Sequence, residues 1–302
     1  MKNWKTAVFI CVLLPFLFAC QPSKDRAQIL AEVEQAIITQ NYTEAEIKLK
    51  SLLNENAEDS QVRRMLGSLL LERGNFSGAA KELRRAISLG IEEPKVQVEL
   101  LQAMLGSKEF DEVLVFDPRN VSLSPATLAE VYVLKGIAAL QSEKVEEARS
   151  LLNDAIDTAS DSQFAYLGRA YIASSEDDWE SALLAIEQSI SINPDFSEAH
   201  LMRGQVLDQL NRQQDSLESY KNYFDLKPQS NEAKIIYINS LVRNNLFDQA
   251  KPYVEQLAKT YGTHPLINQL KGVLAYAEED YDAAKRFTDA AIQSGLTTPV
   301  SL

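Results

Sequence analysis

The segments NYTEAEIKLKSLL (41–53) and NFSGAAKELRRAI (75–87) follow one pattern of residue types, displaced along the chain by 34 positions. An asparagine opens each segment, an aromatic residue follows it, and an alanine stands three residues later. The same interval separates Ala250 from Ala284 near the other end of the chain. A fixed period of this length indicates an array of helical repeats.

Extending the period gives eight repeats, which start at residues 26, 60, 94, 129, 161, 197, 231 and 265. The longer fifth repeat is explained by two extra residues before Trp179. Glycine recurs at the eighth position although it costs a helix about 1 kcal/mol relative to alanine, so we predict that two helices meet there too closely for a side chain. These glycines are Gly67, Gly136, Gly168, Gly204 and Gly272. A second small-residue position, on the second helix of a repeat, holds Ala79, Ala148, Ala182, Ala250 and Ala284.

Together these positions resemble the tetratricopeptide repeat (TPR), a helix hairpin that stacks on its neighbours. The resemblance implies an all-α fold, a right-handed TPR solenoid of about eight hairpins. Repeats 1–3 would occupy residues 26–128, repeats 4–8 residues 129–298, and a tail residues 299–302.

The third repeat departs from the pattern because Pro118 and Pro125 fall where its second helix should run. Proline costs a helix interior about 3 kcal/mol, so we expect this helix to shorten to about 111–116 and a loop to follow. A degenerate helix within one continuous array is preferred to a joint between two arrays.

The N-terminus has the composition of a processing signal, with Lys2 and Lys5 ahead of an apolar stretch over 6–19. That stretch is shorter than the ~20 residues that span a bilayer. Its end, Leu17 to Cys20, resembles the bacterial lipobox, which implies a signal peptide over 1–19 and a lipidated Cys20 on a short tether over 20–25. An ordinary signal peptide with an incidental cysteine is the alternative. We expect a lipid anchor in the bacterial cell envelope, in the outer membrane and facing the periplasm.

Composition argues against several classes of function. The net charge of −13 repels phosphate backbones, so nucleic acid is not expected as a partner. No cysteine follows Cys20, so disulfides cannot stabilise the repeats. His200 and His264 are too far apart along an array to share a metal, and no HExxH, GxSxG or phosphate-loop motif is present. We expect no catalytic residues, no metal and no cofactor, and hence no enzyme.

Repeat arrays bind partners in the groove lined by their first helices. Positions 2, 5, 9 and 12 of each repeat should face this groove. At position 9, Arg169, Gln205 and Asn239 form a predicted polar ladder, with Arg243 one turn beyond it. Such a row could hydrogen-bond an extended peptide of a protein partner. A merely solvated helix face is the alternative.

The lipobox, the array that starts directly after it, and the phrase AAKELRRAISLGIEEPKVQVELLQAMLGSKEFDEVL (79–114) resemble the TPR lipoproteins associated with exosortase/PEP-CTERM systems. The resemblance implies a membrane-anchored scaffold for protein–protein interactions in exopolysaccharide export or PEP-CTERM surface-protein assembly. It supplies no catalytic residues. The alternatives are an adaptor for peptidoglycan hydrolases or for pilus or outer-membrane assembly, and a polysaccharide-binding module that stacks sugars on Tyr171, Tyr237 and Tyr276.

The last predicted helix, over 281–294, is followed by no further helix to cover Phe287 and Ile292. Arrays normally end in a polar cap. Either a partner covers this end or the chain is a truncated form of a longer array.

Overall fold

The computed structural model describes residues 25–295, and within this range all regular structure is helical. The prediction of an all-α fold built from helix hairpins is confirmed. The α-helices are α1 (Arg26–Ile38), α2 (Tyr42–Glu55), α3 (Ser60–Glu72), α4 (Phe76–Ser88), α5 (Pro94–Gly106), α6 (Phe110–Val115), α7 (Pro125–Gln141), α8 (Val145–Thr158), α9 (Gln163–Ser175), α10 (Trp179–Ile192), α11 (Ser197–Gln209), α12 (Gln213–Leu226), α13 (Asn231–Arg243), α14 (Phe247–Tyr261), α15 (Pro265–Ala277) and α16 (Tyr281–Gln293).

The chain forms two compact units, residues 1–48 and 49–302. The described part of the first unit contains α1 and the beginning of α2, which are joined by an ion pair of 2.7 Å between Lys48 Nζ and Glu32 Oε2. The second unit contains the rest of α2 and the helices from α3 onward, and each hairpin packs on the next: α4 on α5, α8 on α9, α10 on α11 and α12 on α13. It is a helix-hairpin solenoid, and it continues without a division through the irregular third repeat.

Each hairpin turn contains one residue in the left-handed region of backbone conformation, with φ between 57° and 71°. These residues are Gln40, Gly74, Lys108, Glu143, Asp177, Asn211, Asn245 and Glu279. For a residue with a side chain, the left-handed conformation costs about 1–2 kcal/mol. Its presence in every turn therefore indicates that the turns share one backbone geometry. The spacing is 34 residues throughout, except for 35 between the third and fourth turns.

This register corrects the predicted start of the fifth repeat, which is 163 and not 161. The connection between α9 and α10 spans three residues, as the connection between α3 and α4 does, so the turn before Trp179 contains no extra residues. The error came from aligning Gly168 with the other glycines. Gly168 is at the sixth position of its repeat, and the fully buried Ala170 is at the eighth.

The eighth position explains the recurrent glycines. A Cβ added to Gly67 would lie 2.6 Å from Leu83 Cγ, and one added to Gly136 would lie 2.7 Å from Leu152 Cγ. Side chains on the second helix, sixteen residues further along the chain, thus occupy the space that a larger residue would need. The alanines of the second helix are also buried, at 0 % exposure for Ala79, Ala148, Ala182 and Ala250 and 8 % for Ala284.

The third repeat has a short second helix, as its prolines predict. The helix α6 ends at Val115, and a 3-10 helix over Pro118–Asn120 follows it. Pro125 is the first residue of α7, where a missing N–H has no cost, and the Ser124 hydroxyl caps that helix by accepting from the Thr127 amide at 3.2 Å. The first helix of repeat 4 therefore begins four residues before the predicted start at 129.

The second unit also has a contact between segments far apart in sequence. Glu72, at the end of α3, lies 3.8 Å from Lys227 Nζ, just after α12. In the following turn, a Cβ added to Gly74 would lie 3.4 Å from Ser230 Oγ. The turn between α3 and α4 therefore packs on the connection between α12 and α13, and the intervening repeats curve tightly enough to bring these two segments together.

Candidate ligand-binding surface

The first helices of successive repeats lie side by side and share one polar face. The helix α3 packs on α5, α5 on α7, and α7 on α9. Between α3 and α5, the Ser68 hydroxyl donates to Glu99 Oε2 at 2.6 Å, and between α5 and α7, Gln102 Nε2 donates to Glu130 Oε1 at 2.8 Å. We call this surface the inner face. It is defined by Ser68, Gln102 and Glu130, and it continues to the groups that interact with Glu130.

The inner face is acidic. Burial raises the pKa of Glu130 to about 7, and the negative charge of Glu198 raises it as well, while the hydrogen bond from Gln102 acts in the opposite direction. Because Glu198 belongs to α11, carboxylates two repeats apart are close enough to repel each other. Burial also raises the pKa of Glu232 on α13. A cation placed on this face would relieve the cost of burying these carboxylates.

Two tyrosines accompany the carboxylates. Burial, and then the charge of Glu198, raise the pKa of Tyr171 on α9. Burial raises the pKa of Tyr223 on α12, and the charges of Glu232 and Glu198 raise it further. The inner face thus combines carboxylates with phenol rings, and both of these groups attract ammonium and guanidinium ions.

The predicted ladder of Arg169, Gln205 and Asn239 is affected by the corrected register. Arg169 is at the seventh position of its repeat, and Tyr171 is at the ninth. The Arg169 guanidinium lies 4.6 Å from the ring centroid of Tyr166, one turn earlier on the same helix, and 3.4 Å from the carbonyl oxygen of Ser160. Arg169 therefore leaves position 9, and its role in binding stays a prediction. Gln205 is exposed on α11 and Asn239 is half-buried on α13, and their role in binding stays a prediction.

Arg243 takes part in a network between three helices. Its Nη1 lies 2.8 Å from Asp208 Oδ2 on α11, and its guanidinium carbon lies 5.9 Å from the ring centroid of Tyr220 on α12. The Tyr220 hydroxyl donates to the same carboxylate oxygen at 2.8 Å. The charge of Arg243 is thus compensated within the fold, and a ligand would compete with Asp208 for it.

The sequence prediction overlooked the glutamates. Glu130, Glu198 and Glu232 each stand at the second position of a repeat, which starts at 129, 197 and 231 respectively. The second position of each repeat was expected to face the groove. Comparing this position across the repeats, as was done for position 9, predicts the acidic row of glutamates. Tyr171 would have joined position 9 once the fifth repeat was placed correctly.

Cys20, the predicted lipidation site, lies outside the described residues. Between residues 25 and 295, no helix is long and apolar enough to cross a membrane.

The same part of the chain contains no group of three or more histidine, cysteine or acidic side chains arranged to hold a metal ion. His200 Nε2 lies 2.8 Å from the carbonyl oxygen of Pro194, and His264 Nδ1 accepts from the Leu266 amide at 3.3 Å.

A family model agrees with the hairpin architecture over two parts of the chain. Residues 39–94 and 167–231 match the tetratricopeptide repeat family model. No curated protein matches the chain. Among solved structures, the human IFIT1 dimer with PPP-AAAA is similar at 14 % identity and a TM-score of 0.44, over 85 % of this chain and 69 % of that one. Pseudomonas aeruginosa PilF is similar at 15 % identity and a TM-score of 0.46, over 80 % of this chain and 96 % of that one.

Proposed function

We propose that the protein is a non-catalytic scaffold that binds a segment of a protein partner along the inner face of its repeats. The observation that carries this proposal is the shared polar face of successive first helices, where Glu130, Glu198 and Glu232 lie beside Tyr171 and Tyr223. Tetratricopeptide arrays bind partners with the corresponding surface. The acidic side chains favour a segment that carries lysine or arginine.

We further propose that the scaffold is lipidated at Cys20, is anchored in the outer membrane facing the periplasm, and serves exopolysaccharide export or PEP-CTERM surface-protein assembly. The support is the lipobox-like sequence before Cys20 and the resemblance of residues 79–114 to the TPR lipoproteins of those systems. A short tether would place the first repeat near the membrane surface and leave the inner face of later repeats accessible to a partner.

Affinity capture from envelope extracts of a polymer-producing strain tests the scaffold. The wild-type protein should recover exopolysaccharide-export or PEP-CTERM components. The double variant Glu198→Arg and Glu232→Arg should lose them, because it reverses the charge of the inner face at two positions.

The matched control is Glu218→Arg with Glu255→Arg, which makes the same change in net charge at exposed positions on the second helices α12 and α14. It should capture the same components as the wild type. Failure of the wild type to recover any of them would contradict the proposed system, and equal capture by both double variants would contradict the proposed surface.

Metabolic labelling with palmitate tests the anchor separately. Wild-type protein should incorporate the label and remain with the membrane fraction, because an acylated Cys20 partitions into lipid. Cys20→Ala should lose both properties, whereas Cys11→Ala, nine residues earlier, should label at the wild-type level. Equal labelling of wild type and Cys20→Ala would remove the lipoprotein assignment.

A further inference from the structure

The turn between α3 and α4 lies against the connection between α12 and α13, four repeats later in the chain. Lys227 Nζ is 3.8 Å from Glu72 Oε1. A Cβ added to Gly74 would lie 3.4 Å from Ser230 Oγ and 4.0 Å from the amide nitrogen of Asn231. We call this contact, between residues 72–74 and residues 227–231, the seam.

The sequence at the seam differs from the sequence of the equivalent turns and connections. Among the left-handed hairpin turn residues of the described chain, Gly74 is the one glycine, and the others carry polar side chains. A Cβ on Gly74 would already touch Ser230, which leaves little room for those longer side chains. Ser124, Ser162 and Ser230 each cap a first helix, but Ser124 is exposed, Ser162 is half-buried and Ser230 is 5 % exposed. Both sides of the seam therefore have the residues that a close contact requires.

The inner face lies inside the turn that the seam closes. The charge of Glu198 on α11 raises the pKa of Glu130 on α7 and the pKa of Tyr171 on α9. Side chains of α7 and α11 interact across the intervening repeat because the face that carries them is the concave one. The chain is continuous from α3 to α12, and the seam joins the two ends of this segment. A ligand on the inner face is therefore encircled by protein.

The seam is weak enough to open. The side chains of Glu72 and Lys227 are 54 % and 31 % exposed, and an ion pair of this kind contributes at most about 1 kcal/mol. One hairpin turn and one connection supply the rest of the contact. Contacts with few buried apolar groups open locally at low free-energy cost, so the seam can open while each hairpin stays folded.

We propose that the seam controls entry to the inner face: a partner segment with a free end threads through the closed turn, whereas an internal segment of a partner enters only when the seam opens. The distinction is topological. While the seam is closed, a segment with a folded domain at each end cannot reach the inside of the turn. The existence of the seam stands on its own contacts, and its effect on binding rests on the scaffold function proposed above.

A disulfide across the seam tests whether the two segments touch. In a chain with Cys11→Ser and Cys20→Ser, the pair Gly74→Cys and Ser230→Cys places two thiols within disulfide reach. Oxidation should give a cross-link within one chain, detected by mass spectrometry of its peptides. The matched pair is Lys108→Cys with Ser230→Cys, which uses the equivalent turn residue of the next repeat and should not cross-link.

The cross-linked protein then tests entry to the inner face. The probe is an extended peptide of about twenty residues in which lysine alternates with serine, because the inner face is acidic. One version carries a small folded domain at one end, and the other carries the same domain at both ends. Sedimentation of the labelled peptides measures binding to the oxidised and the reduced protein. The one-domain peptide should bind both forms with equal affinity, and the two-domain peptide should bind only the reduced form.

The outcomes separate the seam from the proposed function. Failure of the Gly74 and Ser230 pair to cross-link, or equal cross-linking of the Lys108 pair, would overturn the inference. Equal binding of the two-domain peptide to both forms would overturn it as well, and so would binding of that peptide to neither form while the one-domain peptide binds. If the cross-link forms but the one-domain peptide binds neither form, the seam is supported and the acidic binding surface of the proposed function is contradicted.

Discussion

Replacing Gly204 with alanine is expected to destabilise the repeat formed by α11 and α12 by about 2–4 kcal/mol. A Cβ at this position would lie 2.5 Å from Tyr220 Cε1 and 2.7 Å from Cδ1, so the ring must move. Overpacking of this kind costs about 1–3 kcal/mol. Movement of the ring also breaks the 2.8 Å hydrogen bond from Tyr220 to Asp208, which adds about 1.5–3 kcal/mol. The better helix propensity of alanine returns only about 1 kcal/mol.

The control for this prediction is Gly168→Ala. Its Cβ would meet the Leu152 carbonyl oxygen at 3.4 Å and Ile156 Cγ1 at 3.8 Å, which are ordinary contacts. The substitution should be neutral or should stabilise α9 by up to about 1 kcal/mol. Native-state hydrogen exchange is the suitable measurement because repeats can open separately. Equal losses of hydrogen-exchange protection in Gly204→Ala and Gly168→Ala would show that position 168 also requires a glycine.

Truncating Leu152 to alanine is expected to cost about 2–5 kcal/mol, because its side chain is 1 % exposed and fills the space over α7. The informative experiment is a double-mutant cycle with Gly136→Ala. On its own, Gly136→Ala places a Cβ 2.7 Å from Leu152 Cδ2 and should destabilise the repeat. In the Leu152→Ala background the obstruction is gone, so the same change should stabilise the helix by about 1 kcal/mol.

The coupling energy between the two sites should therefore be about 1–3 kcal/mol. The matched cycle pairs Leu152→Ala with Gly168→Ala, where the nearest leucine side-chain atom would be 3.9 Å from the added Cβ. That cycle should give a coupling energy near zero. Additive effects in the Gly136 cycle would mean that the two helices can move apart to accept a side chain, and that glycine at the eighth position is not a packing requirement.

Much of the fold could be predicted from sequence because the same pattern of helix packing recurs in each of the eight repeats. Glycine at position eight and alanine on the second helix report close approach between helices wherever they occur. Pro118 and Pro125 predicted the short α6 because proline cannot continue a helix interior. The predicted start of the fifth repeat was wrong because it depended on one residue type, glycine. Gly168 resembles the packing glycines but stands two residues before the eighth position, where the helices meet closely.

The candidate surface could be predicted less well, because it depends on contacts that no local pattern reports. The 34-residue period indicated which positions of a repeat face inward. It did not indicate that α7 and α11 approach closely enough for Glu130 and Glu198 to interact. That approach follows from the curvature of the array, which accumulates from small rotations between repeats. The pairing of Arg243 with Asp208 was hidden for a similar reason, since it joins two different repeats.

The contact between Glu72 and Lys227 has a consequence for how the array unfolds. A linear array is a chain of nearest-neighbour couplings, and its repeats can melt from either end. A surface ion pair adds little energy. It does, however, close a loop around the repeats between its ends, so an interior repeat that melts gains less conformational entropy than it would in a chain with free ends. Melting of the second repeat is thereby coupled to melting of the sixth, and cooperativity extends beyond adjacent hairpins.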